Sequence, residues 1–404
     1  MNYTIVGGGI AAVSALKAIS EYDPECQITV ISEEKHCFYY RPMTPLIIKG
    51  DKERDDLLHD HEGIGHINLI HDRATSLDAD NCEVTLQGGQ KVGYDRLLIA
   101  TGSSPLIPQI PGVGEKNVHY LRTLKDAMGL REAAKIGQQA VIMGGGYVGI
   151  KKAEALAHQG IDVTLVEKEE HILLPRLDAQ GAALVAEKLA ARGVNLIMKD
   201  TIVEIKPEAK GVKLASGIEL EADFVCIAVG VRPNIDWLRG SGIEMEKAIV
   251  VNELMQTTRD GIYAAGDVVQ IKDLVTGNTV VSALWTNAVE MGKVAGVNMA
   301  GGRIKYPGGL EVLNASEIEG IPIVSIGHVL ADDKNGLEVY RSQHQQNYMK
   351  LAMRDDVLTG AIFIGNIENA GIYTALIKTG KPLGPLKEKA INRSLNYADF
   401  YASH

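Results

Sequence analysis

The residues whose spacing most clearly implies chemistry are three glycines near the middle of the chain. They lie in Ala140-Val141-Ile142-Met143-Gly144-Gly145-Gly146-Tyr147-Val148-Gly149-Ile150-Lys151. An apolar run of strand length leads into G-x-G-x-x-G, and a helical pattern continues through Ala153, Leu156 and Ala157 to Gly160. At this spacing Gly144 permits the tight turn, Gly146 admits a pyrophosphate against the backbone, and Gly149 lets helix pack closely on strand. The phosphates then meet free N–H groups and the positive end of the helix dipole. Tyr147 and Val148 occupy the same turn. A second strand, Asp162 to Val166, ends in Glu167, 18 residues after Gly149. A carboxylate there accepts hydrogen bonds from ribose hydroxyls and repels a 2′-phosphate. Lys168 follows, but no arginine occupies the position itself, so the pattern favours NADH over NADPH.

The same grammar opens the chain. Tyr3 to Val6 is strand-like, Gly7, Gly9 and Ala12 make G-x-G-x-x-A, and a helix is expected from Val13 to about Ser20. Gln27 to Ile31 reads as the next strand, with Glu33 and Glu34 just past its end. Strand, glycine turn, helix, strand and acid in this order turn a weak glycine pattern into a specific one. Two such units imply two bound dinucleotides.

Further candidates sit at loop positions. Arg41, between Tyr40 and Pro42, has a rigid fork suited to phosphate, with a plain surface arginine as the alternative. The strand through Ile99 closes on Thr101-Gly102, another closes on Gly230 and Pro233, and a third on Gly266-Asp267. Asp267 is suited equally to capping a helix and to binding a ligand hydroxyl. His59, His61 and His66 lack metal-ligand spacing and read as solvated surface. The tail cations Lys381, Lys387, Lys389 and Arg393 read as a solvated helix face, the alternative being a docking site for an acidic partner.

A scaffold of parallel strands and crossover helices must hold these turns. The 404 residues allow two to three domains. A hairpin is expected at Gly88-Gly89, and Pro105, Pro108 and Pro111 form a stiff crossing. Beyond residue 302 the glycine motifs cease and strand-like patterns dominate. The expectation is therefore an α/β chain of two Rossmann-like dinucleotide-binding domains plus a strand-rich α+β C-terminal domain. The boundaries are 1–113 with 245–302, 114–244, and 303–404. A formal charge of −10 without a basic tract argues against nucleic acid. No apolar run reaches the roughly 18 residues of a membrane span. The first 16 residues lack a basic region and carry the glycine fingerprint, which reads as mature structure rather than a leader. Cys26, Cys37, Cys82 and Cys226 are scattered, which favours a reducing cytoplasm and shows no redox pair or zinc spacing.

The ordered set Ile5 to Gly9, Tyr40-Arg41-Pro42, Ala100-Thr101-Gly102, Arg122-Thr123, Gly144 to Gly149, Gly230 to Pro233 and Ala265-Gly266-Asp267 resembles the FAD-dependent pyridine-nucleotide oxidoreductases. It is most similar to the branch of NADH:rubredoxin and ferredoxin reductases and apoptosis-inducing-factor-like proteins. The resemblance covers residues 1 to about 300. It implies that Gly7, Gly9, Ala11 and Ala12 hold the FAD pyrophosphate and that Glu33 or Glu34 takes the adenosine ribose. It also implies that Arg41 and Pro42 line the flavin and that Ala74, Thr101, Gly102, Arg122, Gly230, Gly266 and Asp267 complete the cofactor sites. Asp267 is then assigned to the ribityl chain. Trp285 matches the residue near the flavin ring, with a buried core tryptophan as the alternative.

Two departures shape the expected function. Residues 38–50 contain no cysteine, so no thiol relay follows the second strand, and Cys37 reads as structural. Electrons must then leave directly from the flavin. Lys151 stands where the family usually has a glutamate near flavin N5. At ~5 Å and an effective dielectric of ~20 its charge contributes roughly 3 kcal/mol before desolvation, favouring the anionic reduced flavin; the alternative is a lysine that snorkels to solvent. The expected activity is FAD-dependent transfer of electrons from NADH to a small carrier such as rubredoxin, ferredoxin or another iron–sulfur protein. The alternatives are an NADH oxidase using oxygen and a flavin-containing docking subunit of a larger redox complex. A homo-oligomer and a complex subunit are both compatible with the sequence.

Overall fold

The structure is a computed structural model, and it describes residues 1–59, 67–332 and 336–402. His61 and His66 lie outside the described residues.

Apolar runs bounded by glycine turns fold into two parallel sheets of one design. The first has the order Ile262–Ala264, Arg96–Ile99, Asn2–Val6, Gln27–Ile31, Ile67–Ile70, with every pairing parallel. The second runs Asn195–Met198, Asp162–Glu167, Gln139–Met143, Phe224–Ile227, Val118–His119, again all parallel. Ile5 and Ile142, on the central strands, are wholly buried. Strands covered on both faces need apolar residues at successive positions rather than alternate ones. That is why both central strands were visible in the sequence.

Each unit also carries a three-stranded antiparallel meander: Ala74–Asp78, Glu83–Leu86 and Lys91–Gly93 in one, and Ile202–Ile205, Gly211–Leu214 and Glu219–Glu221 in the other. The first contains the expected hairpin, with Gly89 at φ +85. The second was not foreseen: its strands are as short as those of the first, and no Gly-Gly pair marks its hairpins.

The chain returns to its first unit late. Ile262–Ala264 adds to the first sheet, and the helix Trp285–Met299 lies along the helix Ile10–Tyr22. A Cβ on Gly292 or Gly296 would strike the backbone of Ala11 or Ala15. The two helices therefore approach at backbone contact, which positions the glycine turn that opens the first of them.

The remaining strands form one antiparallel sheet in the order Leu313–Ile318, Ile321–Gly327, Val357–Ile364, Asn347–Arg354, Glu338–His344. Its two faces separate by alternation. Val324, Met349 and Phe363 pack under the helix Ala370–Thr379. Ile323, Tyr348, Ile362 and Ile364 join the core of the second nucleotide unit. Lys350 and Tyr348 reach across that boundary to Asp178, which also caps the helix Ala179–Ala191.

The tail cations are largely spoken for. Lys387 pairs with Glu338, Lys389 with Asp399, and Arg393 bonds Asn366 and covers the ring of Phe363. Among the described residues no helix is long and apolar enough to cross a membrane.

Candidate functional site

The first glycine turn leaves a cradle open. Gly7 adopts φ +122, and a Cβ there would collide with the carbonyl of Ala100. Gly9 caps the helix Ile10–Tyr22 without any side-chain hydrogen bond, and nothing lies within 4 Å of where its Cβ would be. The orphan N–H groups of that helix are therefore met by no side chain at the cap, which is what an incoming pyrophosphate requires. Ala11 and Ala12 are buried behind the turn, Ala11 against Gly266. At the end of the second strand the two acids diverge. Glu34 uses both oxygens within the chain, on Arg41 (2.6 Å) and on the hydroxyl of Tyr39 (2.7 Å). Glu33 stays 62% exposed with Arg73 at 3.7 Å, the more exposed of the two acids.

A chain of charged side chains then crosses the unit. Arg41 bonds Glu34 with one nitrogen and the carbonyl of Arg122 with the other, and its guanidinium stacks 4.7 Å above the ring of Tyr39. Arg122 in turn pairs with Asp267 at 2.9 Å, and the hydroxyl of Ser103 donates to the same oxygen at 2.8 Å. Both contacts fall on Oδ2, which leaves Oδ1 for a ligand hydroxyl. Gly102 lies against Arg122, and Thr101 exchanges hydrogen bonds with Asn234. Gly230, at φ +116, precedes the short strand that pairs with Ser103–Pro105. Pro42 lies in a short helical turn, Arg41–Met43, beside Tyr40, whose ring is tilted against His59 (3.8 Å) and stacks with Trp285 (5.7 Å). Trp285 is thus half-buried in an aromatic stack at the start of its helix. Ala74 is buried at the start of the meander, opposite Leu86.

His59, expected on solvated surface, is instead 8% exposed, because its ring packs against Tyr40 and Trp285. Ser103, Asn234 and Tyr39 were missed by sequence reasoning. Ser103 and Asn234 each stand one residue beyond a motif that was read, and adjacency was the available signal.

The second cradle repeats the first. Gly144 has φ +109, a Cβ on Gly149 would overlap the carbonyl of Gly144, and Gly146 caps its helix with open space before it. Glu167 accepts from the N–H of Gly145 (2.5 Å) and of Glu169 (2.9 Å), so its carboxylate is fixed at the lip of the turn. Val148 is exposed, whereas the Tyr147 hydroxyl is buried toward Ser325, and burial raises its pKa. Lys151 pairs with Glu154 at 2.7 Å and donates to the carbonyl of Glu317. It also lines a groove of about 330 Å³ shared with Pro42, Met43, Pro45 and Ser316.

No thiolate stands in this arrangement. Burial pushes the thiols of Cys37 and Cys226 up to about 11, so both stay protonated at neutral pH. Cys37 packs on Gly8, a structural role.

Two glycine cradles, each with an acid at or just past the end of its second strand, fit two dinucleotides. Residues 1–292 match the family described as pyridine nucleotide-disulphide oxidoreductase. The chain belongs to that family. It is an FAD-dependent, NADH-using oxidoreductase, and residues 312–381 match the rubredoxin NAD+ reductase C-terminal domain. The epsilon subunit of an NADH-dependent phenylglyoxylate dehydrogenase from Aromatoleum evansii is 32% identical over 402 residues, which is 98% of this chain and 95% of that one. An assimilatory nitrate reductase electron transfer subunit of Bacillus subtilis is 28% identical over 372 residues, but the match spans only 47% of its length. The crystal structure of NADH:rubredoxin oxidoreductase from Clostridium acetobutylicum superposes with a TM-score of 0.78 at 28% identity, covering 95% of this chain and 96% of that one.

Proposed function

We propose that the chain carries electrons from NADH through FAD to a small iron–sulfur or rubredoxin-type protein. Residues 1–113 with 245–302 would hold FAD, and 114–244 NADH. When bound, the flavin supplies the step from a two-electron hydride donor to a one-electron acceptor. The chain's own residues supply position. The helix N-termini behind Gly9 and Gly146 bind the pyrophosphates, Glu33 and Glu167 take the two riboses, and Asp267 Oδ1 takes a hydroxyl of the ribityl chain. The observation that carries this reading is the pair of uncapped glycine cradles with no thiol in residues 38–50 to relay electrons elsewhere. Anaerobic mixing with NADH should bleach the flavin within the enzyme's turnover time. Steady-state assays should then show rubredoxin or ferredoxin reduced faster than oxygen. Bleaching with oxygen as the only competent acceptor would replace the carrier reading with an oxidase.

A second reading has a specific observation behind it. The match to the epsilon subunit runs nearly end to end, which supports a place as the NADH-oxidising subunit of a larger redox complex. On that reading the isolated chain bleaches with NADH but reduces no free carrier until an iron–sulfur subunit is added.

A further inference from the structure

A third group of charged side chains lies outside both cradles, where the second nucleotide unit meets the C-terminal sheet. Glu154 and His158 are four residues apart on the helix Tyr147–His158 and share one face. Opposite them stands Glu319, at the tip of the hairpin between Leu313–Ile318 and Ile321–Gly327, held at φ +47. One ligand atom from each of the three lies within 4.8 Å of the others.

The bonding of Glu319 is informative. Its side chain is only 6% exposed, and Oε2 is taken by Arg192 at 2.7 Å. Oε1 is buried 3.2 Å from Nε2 of His158 yet completes no hydrogen bond. An oxygen and a nitrogen that close, and not aligned through a shared hydrogen, are placed to direct lone pairs at a common third atom. Two ligands of a tetrahedral cation with bonds of about 2.1 Å stand about 3.4 Å apart. Glu154 is oriented from both sides, Oε1 by the N–H of Glu319 (3.0 Å) and Oε2 by Lys151 (2.7 Å). Carboxylates that bind metals are commonly held by such outer contacts.

We propose that Glu154, His158 and Glu319 bind one divalent transition-metal cation of the zinc type, spanning the NADH-binding unit and the C-terminal sheet. One imidazole nitrogen with two carboxylate oxygens suits Zn²⁺ better than Mg²⁺ or Ca²⁺, which take all-oxygen shells. Water fills the fourth position. Lys151 and Arg192 offset the two carboxylate charges, so the site is of moderate affinity and closes a junction that Asp178 already holds at its other end.

The test uses the FAD-loaded protein after dialysis against EDTA. Calorimetric titration should show one Zn²⁺ per chain, and Co²⁺ in its place should give tetrahedral visible bands. His158→Asn and Glu319→Gln should each weaken Zn²⁺ at least tenfold, while Cys82→Ser, at an exposed thiol, leaves binding unchanged. Zn²⁺ should raise the thermal midpoint of the native protein and not that of His158→Asn. His158 is 24% exposed, so its variant folds and decides the matter even where Glu319→Gln loosens the hairpin. No stoichiometric binding, or binding that survives His158→Asn, overturns the proposal.

Discussion

The ammonium of Lys151 stands 2.7 Å from Oε2 of Glu154 and also donates to the carbonyl of Glu317, across the boundary with the C-terminal sheet. A lone cation ~5 Å from the flavin would shift its two-electron potential by roughly 70 mV at an effective dielectric of ~20. Paired with Glu154, it acts as a dipole and most of that shift cancels. The pair can be separated by a double-mutant cycle on the metal-free protein. Lys151→Met should uncover the carboxylate and lower the flavin midpoint by a few tens of mV, on the order of half the lone-charge value. Glu154→Gln should raise it by a similar amount, and the double variant should return close to the parent. Redox titration of all four proteins reads this directly. Equal midpoints in the single variants would place the pair away from the flavin.

The junction between the second parallel-sheet unit and the C-terminal sheet depends on Asp178. Lys350, whose side chain is 4% exposed, finds its counter-charge there at 3.1 Å, and the hydroxyl of Tyr348 donates to the same carboxylate at 2.7 Å. Removing one partner of a buried ion pair leaves an uncompensated charge and costs about 3–5 kcal/mol. Asp178→Asn keeps the shape of the helix cap while removing the charge. Its urea-unfolding free energy should fall by about that amount, whereas Lys135→Ala, whose pair with Glu132 is exposed on both sides, should change it by less than about 1 kcal/mol.

Acid sensitivity should centre on His119. It sits edge-on to Phe224 at 5.8 Å, and burial, helped by nearby Lys152, holds its pKa below the ordinary 6.5. The unfolded chain therefore takes up this proton at higher pH than the folded one. Its stability contribution is complete above about pH 6.5 and is lost as pH falls from there through the folded value. His119→Gln should flatten that limb of the stability–pH curve. Denaturant titrations of both proteins between pH 5 and 8 compare them, and parallel curves would assign the acid limb to other groups.

The two glycine turns were legible in the sequence because their demands are local. A positive φ at Gly7 and Gly144, and open backbone at Gly9 and Gly146, can be met only by particular residues at fixed spacing. The central strands were legible for a similar reason, since burial on both faces needs unbroken apolar runs. What lay beyond reach were contacts closed by the fold over long separations. Thr101 meets Asn234 133 residues away, Ser103 meets Asp267 at 164, and Glu319 meets Glu154 at 165. The choice between Glu33 and Glu34 as the open acid has the same origin, because it depends on how Arg41 and Tyr39 fold back on Glu34. Lys151 could be flagged as unusual only through the family resemblance, and its neutralising partner and its tie to Glu317 belong to packing.

The equivalence of the two cradles predicts that their functions can be separated by single methyl groups. A Cβ at Gly149 would overlap the carbonyl of Gly144 in the second unit, and the first unit, built on its own sheet, does not share that contact. Gly149→Ala should therefore purify with FAD bound and be reduced by dithionite like the parent. Its bleaching by NADH should slow at least about 100-fold, corresponding to about 2.7 kcal/mol of lost productive binding. Gly7→Ala, which sets a Cβ against the carbonyl of Ala100 at φ +122, should have the opposite phenotype. It should lose FAD on purification while NADH still quenches its intrinsic fluorescence. Stopped-flow absorbance and FAD content measured on the two variants separate the outcomes. If Gly149→Ala loses flavin as readily as Gly7→Ala, the second turn supports the whole fold and not the NADH site alone.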